Sequence, residues 1–272
     1  MFKNKPDFLK SFHKRENQDI KILSSNWKPR ITFFTGSGIS AESGIQTFRG
    51  NNGRWNEHDV SKICSTWAVR HNLEELLQFY NDRRNEILKA TPNKAHIIIK
   101  QLEKYFDVGV VTQNVDDLHE RAGSKNVIHL HGDIMKSQSI ANPEKIYECH
   151  NDLKVGDRCP VTNSQLRPHI VLFGEQINNF YEARKMLRES HIVIVIGTSL
   201  QVTPASLLVT EPLYAKDIYL VDPILPPIVS KNKFIHIPEL ATTGLKSLES
   251  ELKRLLNHFK QDFELKKGLI TS

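Results

Sequence analysis

The sequence predicts a doubly wound α/β fold, a mostly parallel sheet with helices packed on both faces. Short apolar, β-branched runs recur at residues 31–35 (ITFFT), 107–112 (DVGVVT), 127–130, 169–173, 192–196 (IVIVI) and 217–221 (DIYLV). Several are apolar at every position, as strands covered on both sides must be. Helical spacing fills the intervals at 73–89, 94–104, 179–190 and 245–259. Strands alternating with helices give crossover connections and hence parallel pairing.

Each element has a local reason. The first strand ends at Gly36, where the chain must turn into a helix. Pro92 stands near the start of the 94–104 helix, and Pro204 opens another after a cap at Thr203; prolines are tolerated in a first turn. Two stretches break the alternation. Residues 50–91 insert a mostly helical segment, and residues 133–167 are polar with little periodicity. The expected organisation is a basic extension at 1–28, a dinucleotide-type domain at 29–49, 92–132 and 167–272, and a smaller lobe from the insertions 50–91 and 133–166.

Composition narrows the function. The 272 residues are 39% hydrophobic and 25% charged, ordinary globular values, and no run of eighteen apolar residues is present. The opening MFKNKPDFLK has no apolar core of a secretory signal. Three cysteines are too few for a disulfide framework, so a cytoplasmic setting is expected. The net charge is +6, but residues 1–30 hold eight Lys/Arg against three Asp/Glu. The remainder is near neutral, so no nucleic-acid partner and no membrane partner is expected. The basic stretch could steer an acidic partner or serve as a solubilising lead-in.

Four segments carry chemistry. Gly36-Ser37-Gly38 opens a glycine-rich βα turn, suited to an anion at a helix N-terminus. Its third glycine departs from the usual dinucleotide spacing, and the alternative is a plain tight turn. Gln113-Asn114-Val115-Asp116 follows the strand at 107–112, where parallel sheets bind ligands; a turn with an Asp cap is equally compatible. His131, in His129-Leu130-His131-Gly132, could act as a general base, although any single histidine can be structural. Gly197-Thr198-Ser199 begins a second small, hydroxyl-rich turn after IVIVI.

Together these segments resemble the sirtuin family of NAD-dependent protein deacylases, which have a Rossmann-like sheet. The matches are GSGISAESGIQTFRG (36–50), TQNVDDLHERAG (112–123), HLHG (129–132), RPHIVLFGE (167–175), GTSLQVTPAS (197–206) and YLVDP (219–223), spread over about two hundred residues in the family's order. The resemblance implies NAD as cosubstrate and acyl-lysine proteins or peptides as partners. An acyl-lysine amide oxygen attacks C1′ of the nicotinamide ribose, and nicotinamide leaves. A ribose hydroxyl is then deprotonated, and the acyl group ends on ADP-ribose. By position, His131 matches the general base, Asn114 and Asp116 the catalytic polar pair, and Gln113 a ribose contact. Gly36, Ser37, Gly38, Ala41, Thr47, Phe48, Arg49 and Trp55 match the cofactor turn and its following loop. Gly197, Thr198 and Ser199 match the late turn, and Asp222 and Ala241 the adenosine end. Val171, Phe173, Gly174, Glu175 and Val202 match segments between which a peptide pairs as a strand.

Three departures matter. Tyr80 and Arg83 resemble the Tyr-x-x-Arg pair of sirtuins that remove acidic acyl groups, and they share a helical face. Arg83 could bind a succinyl or malonyl carboxylate, since a buried Arg needs an anionic partner; Cys64 falls near a position where this class often has Ala. Most sirtuins carry four zinc-binding cysteines, whereas here only Cys149 and Cys159, with His150, stand in that interval. No zinc or other metal is therefore expected. Ser37 and Gln46 replace the family's usual Ala and Pro. The other functions weighed are an NAD glycohydrolase or ADP-ribosyltransferase, and a non-catalytic NAD-binding module. The Tyr80/Arg83 pair argues against the former, and His131 with Asn114 and Asp116 against the latter. The sequence favours no oligomeric state.

Overall fold

The computed structural model describes residues 27–47, 60–210, 215, 218–227 and 234–271. Six strands form the main sheet: β1 (Arg30–Thr35), β2 (Asp107–Thr112), β3 (Val127–His129), β7 (Ile192–Ile196), β8 (Ile218–Val221) and β9 (Phe234–Ile237). Their order is β3-β2-β1-β7-β8-β9, and every pairing is parallel. The strand order reverses between β1 and β7, so the loops leaving those two strands splay apart and open the crevice where such sheets bind ligands.

The alternation of strand side chains explains the two apolar faces. Phe33, Val110, Ile194 and Tyr219 face one core, shared with Ile39, Ala95, Ile99 and the C-terminal helix. Phe34, Val111, Val195 and Leu220 face another, shared with Ala183, Leu187, Leu208 and Val209. The first core is closed by α5 (Lys94–Leu102) and α9 (Ala241–Thr271), whose Leu245, Leu248, Leu252, Leu256 and Phe259 follow the 3.6-residue period. The other face carries α7 (Phe180–Arg188) and α8 (Leu207–Thr210).

A second sheet is antiparallel, in the order β5-β4-β6, from β4 (Gly132–Ser139), β5 (Ile146–Glu148) and β6 (Leu166–Ile170). Against it pack α4 (Leu73–Lys89) and the short α2 (Val60–Ile63) and α3 (Thr66–His71). Asn81 and Arg84 of α4 are the struts. The Asn81 side-chain amide donates to the Leu153 carbonyl and accepts from the Leu153 amide, both at 2.9 Å. Arg84 Nε donates to the Ile134 carbonyl at 2.9 Å. Hydroxyls of Ser139, Thr162 and Ser164 hydrogen-bond mutually at 2.7–2.9 Å and hold the far end of the same lobe.

Four local expectations change. The strand expected at 169–173 runs Leu166–Ile170 and pairs with β4, not with the main sheet, because Ile170 and Leu172 bury against α4. The helix expected to open at Pro204 begins at Leu207. Strand β9 was not anticipated: at the sheet edge only Phe234 is fully buried, so FIHI lacks the unbroken apolar signature. The last helix extends well beyond 245–259, to Ala241–Thr271. No helix among the described residues is long and apolar enough to cross a membrane.

Candidate functional site

The loops after β1, β7 and β2 meet at the switch point. Gly36 N–H donates to the Ile196 carbonyl at 2.9 Å, and Gly38 N–H to the Gly197 carbonyl at 2.8 Å. The two turns interlock backbone to backbone. A Cβ on Gly38 would lie 2.6 Å from Gly197 Cα, and one on Gly197 2.5 Å from the Ile39 nitrogen. Gly197 also has φ +60°, where a side chain adds strain. These glycines therefore serve close approach between two protein segments. The helix that the first turn opens, α1 (Gly38–Ala41), is a single turn.

The floor of the crevice is polar and buried. Ser40 Oγ donates to Asp116 Oδ2 at 2.9 Å and accepts from Asn114 Nδ2 at 3.2 Å. Leu118 N–H donates to Asp116 Oδ1. Asn114 and Asp116 are each 3% exposed. Burial pushes the Asp116 carboxyl up, against the Ser40 hydroxyl, the Leu118 amide and the Arg83 charge, which hold it down. Beneath lies a buried relay: Thr35 Oγ1 donates to Thr112 Oγ1 at 2.9 Å, Thr112 Oγ1 accepts from Asn114 N–H, and His119 Nε2 contacts Thr35 Oγ1 at 3.1 Å. Because the Thr35 proton is committed to Thr112, His119 must be the donor in that last contact.

His131 is half-buried, with Nδ1 2.9 Å from the Gln113 carbonyl oxygen. Burial pushes its imidazole below the ordinary range, against the carbonyl, which raises it. The neutral form therefore dominates near pH 7, with Nε2 as the unprotonated nitrogen. Gln113 is held from the other side, its Oε1 accepting from Thr198 Oγ1 at 2.7 Å. The His131 carbonyl accepts from Val171 N–H at 2.9 Å. Gly132, next in the chain, has φ +88°, and a Cβ there would lie 2.1 Å from the His169 carbonyl oxygen, so no other residue lets β6 pass.

The remaining predicted residues spread around this centre. Ser37 and Thr47 are half-buried, and Ala41 is exposed on α1. Phe48, Arg49 and Trp55 lie outside the described residues. Ser199 is half-buried beside Thr198. The Asp222 carboxylate accepts from Ile224 N–H at 2.9 Å and so closes its own turn. Ala241 is 4% exposed and begins α9; its neighbour Thr242 is tied by backbone and hydroxyl to Glu42. Phe173 is 47% exposed and forms a parallel bridge with Ser65, and Val202 is half-buried. Glu175 pairs with the buried Arg167 and accepts from Leu172 N–H, with Gly174 at φ +95° completing that turn.

Tyr80 and Arg83 are buried on α4, but their neighbours differ. The Tyr80 hydroxyl shares a hydrogen bond with the Cys64 thiol, and burial pushes it well above the ordinary phenol range. The Arg167 charge also acts on it. Arg83 Nη1 lies 2.8 Å from Glu86 Oε2, so the anion that a buried guanidinium demands is supplied from within the chain. Ser40, Glu86 and Arg167 were missed as site residues. Glu86 left a signal, since it stands three residues after Arg83 on one helical face.

Metal ligation can be tested directly. Cys149 Sγ lies 3.5 Å from the Asn151 carbonyl, and Cys159 Sγ lies 3.2 Å from the Tyr147 hydroxyl. Among the described residues no group of three or more His, Cys, Asp or Glu is placed to hold a metal.

The sequence profile of the Sir2 family matches residues 36–204, a span that runs from the first glycine turn through the second. The chain belongs to the Sir2 family. Among Sir2 relatives, an NAD-dependent protein deacylase of Helicobacter pylori is 43% identical over 209 residues, 77% of this chain and 88% of its own. An NAD-dependent protein deacylase of Aggregatibacter actinomycetemcomitans is 45% identical over 196 residues, 72% and 94% of the two chains. A crystal structure of a Sir2 homolog–NAD complex superposes with a TM-score of 0.73 at 32% identity, covering 84% of this chain and 90% of that one. The Sir2 assignment and the α/β fold agree with the expectation from the motifs.

Proposed function

We propose that this protein is an NAD-dependent protein-lysine deacylase that transfers the acyl group to ADP-ribose and releases nicotinamide. The observation that carries the reading is the fixed tautomer of His131, beside the buried Ser40–Asn114–Asp116 triad at the sheet's switch point. The family and the named activities of its relatives support it.

NAD is the bound partner this crevice would take. Its cradle would be the turns at Gly36–Gly38 and Gly197–Ser199, with Ala41, Thr47, Gln113, Asp222 and Ala241 around it, and Phe48, Arg49 and Trp55 in the adjoining loop. The nucleotide supplies an electrophilic ribose carbon and the hydroxyls that receive the acyl group. His131 then takes a proton from a ribose hydroxyl at Nε2, a role worth about a hundredfold or more in rate. Asp116 and Asn114 orient the ribose and carboxamide from a dry floor that keeps competing water out. Val171, Phe173, Gly174, Glu175 and Val202 frame the peptide strand.

The acyl group preferred is acidic, succinyl or malonyl, read by Tyr80 and Arg83; a bidentate acyl carboxylate would exchange for Glu86 on Arg83. The small lobe holds without zinc, through the Asn81 and Arg84 struts and the Ser139 hydroxyl cluster. The deciding experiment incubates the protein with NAD and matched acetyl-, succinyl- and malonyl-lysine peptides, with mass spectrometry for O-acyl-ADP-ribose. Free ADP-ribose alone, formed without loss of the acyl group, would instead mark a glycohydrolase.

A further inference from the structure

Arg83 is 2% exposed and its ion-pair partner Glu86 22%. The Glu86 carboxylate is used at both oxygens. Oε2 accepts from Arg83 Nη1 at 2.8 Å, and Oε1 accepts from the backbone N–H of Gln46 at 2.7 Å. Gln46 lies just after the first glycine turn. A proline there has no N–H to offer, so this bridge exists only because residue 46 is not proline. One carboxylate thus clamps the acyl-reading guanidinium of α4 to the segment that leads out of the cofactor turn.

We propose that Glu86 is a specificity-determining residue, an internal carboxylate that competes with an acidic acyl chain for Arg83. This rests on the acidic-deacylase reading above and deepens it. A succinyl or malonyl carboxylate must share the Arg83 charge with Glu86, which already holds Nη1, or displace it, whereas an acetyl group makes no such demand. Displacement also takes the acceptor from Gln46 N–H, so acyl class and order in the cofactor segment are linked: an acidic acyl group loosens what a neutral one leaves fastened.

The test compares the full-length wild type, Glu86→Gln and Glu86→Ala on succinyl- and acetyl-lysine peptides of one sequence, with NAD varied. Glutamine keeps an acceptor for Gln46 and removes the competing charge. The succinyl-to-acetyl ratio of kcat/KM should rise about tenfold or more in Glu86→Gln. Glu86→Ala should raise the KM for NAD more than Glu86→Gln does. In an Arg83→Met background, Glu86→Gln should leave the ratio unchanged. Should the glutamine variant not fold, Glu86→Asp keeps the charge with a shorter reach, and its ratio must still exceed that of the wild type. Calorimetric affinities for the two peptides without NAD ask the same question without turnover. A fixed or falling ratio in a folded variant, with acetyl-lysine still processed, overturns the role of Glu86 alone. Turnover of neither peptide by wild type overturns the deacylase reading and this inference together.

Discussion

His131 Nδ1 lies 2.9 Å from the carbonyl oxygen of Gln113, and a carbonyl can only accept, so the ring proton sits on Nδ1. Nε2 is then the basic nitrogen whenever the ring is neutral. His131→Ala should lower kcat by roughly a hundredfold or more, with an unchanged far-ultraviolet circular dichroism spectrum. Because burial lowers this imidazole's pKa, the acid limb of kcat/KM should fall below the 6.5 of a free histidine. A limb above 6.5, or an active alanine variant, would assign the base elsewhere.

Stability should decline steeply on mild acidification. Burial lowers His96 to about 4, and burial with the Arg30 charge lowers His191 to about 4. Both are neutral in the fold and charge more readily when unfolded. Their contribution is complete above about 6.5 and is lost as pH falls toward 4, because the unfolded chain binds the protons first. His96 Nδ1 also accepts from Asn93 N–H at the start of α5, a bond that protonation removes. Denaturant titrations at pH 7.5 and pH 5 should differ by about 4 kcal/mol from these two groups. Equal midpoints would contradict the burial argument.

Gly197→Ala tests the interlocked turns. The new methyl would sit 2.5 Å from the Ile39 nitrogen, at a φ of +60°. Backbone cannot step aside as a side chain can, so a loss of about 2–4 kcal/mol is expected in chemical denaturation. A loss under about 0.5 kcal/mol would show that the turns separate freely.

Arg83→Met should lower desuccinylation by about tenfold or more beyond any effect on deacetylation. The paired kcat/KM values decide it, and equal losses would remove Arg83 from acyl recognition.

Elemental analysis of purified protein should find well under one equivalent of zinc. Cys149→Ser and Cys159→Ser should each leave thermal stability insensitive to added chelator. A stoichiometric metal, or melting induced by chelator, would contradict the ligand geometry.

The fold class was legible because β1, β2 and β7 are covered on both faces and so read as unbroken apolar runs. Edge strand β9, with only Phe234 buried, left no such run, and the run at 169–173 overlaps the antiparallel β6 (Leu166–Ile170) only at His169 and Ile170. His131, Asn114 and Asp116 stood out because they follow strand ends within local motifs. Ser40 did not: in the sequence it is one more small residue in a glycine-rich turn. Its partners Asn114 and Asp116 lie 74 and 76 positions away, so only tertiary packing reveals the triad. Arg83 raised the question of its counter-ion, and the nearer answer, Glu86 one helical turn along, was in plain view.

Helix α4 carries two kinds of cargo on a single rod. Asn81 and Arg84 bolt it to the small lobe, and interleaved with them are the buried Tyr80 and Arg83, the pair proposed above to read the acyl chain. The lobe therefore cannot tilt or slide without carrying Tyr80 and Arg83 with it. If that pair sets the acyl preference, discrimination is inseparable from how stiffly the minor lobe is mounted, and substitutions far out among the Ser139 hydroxyls should act on substrate choice.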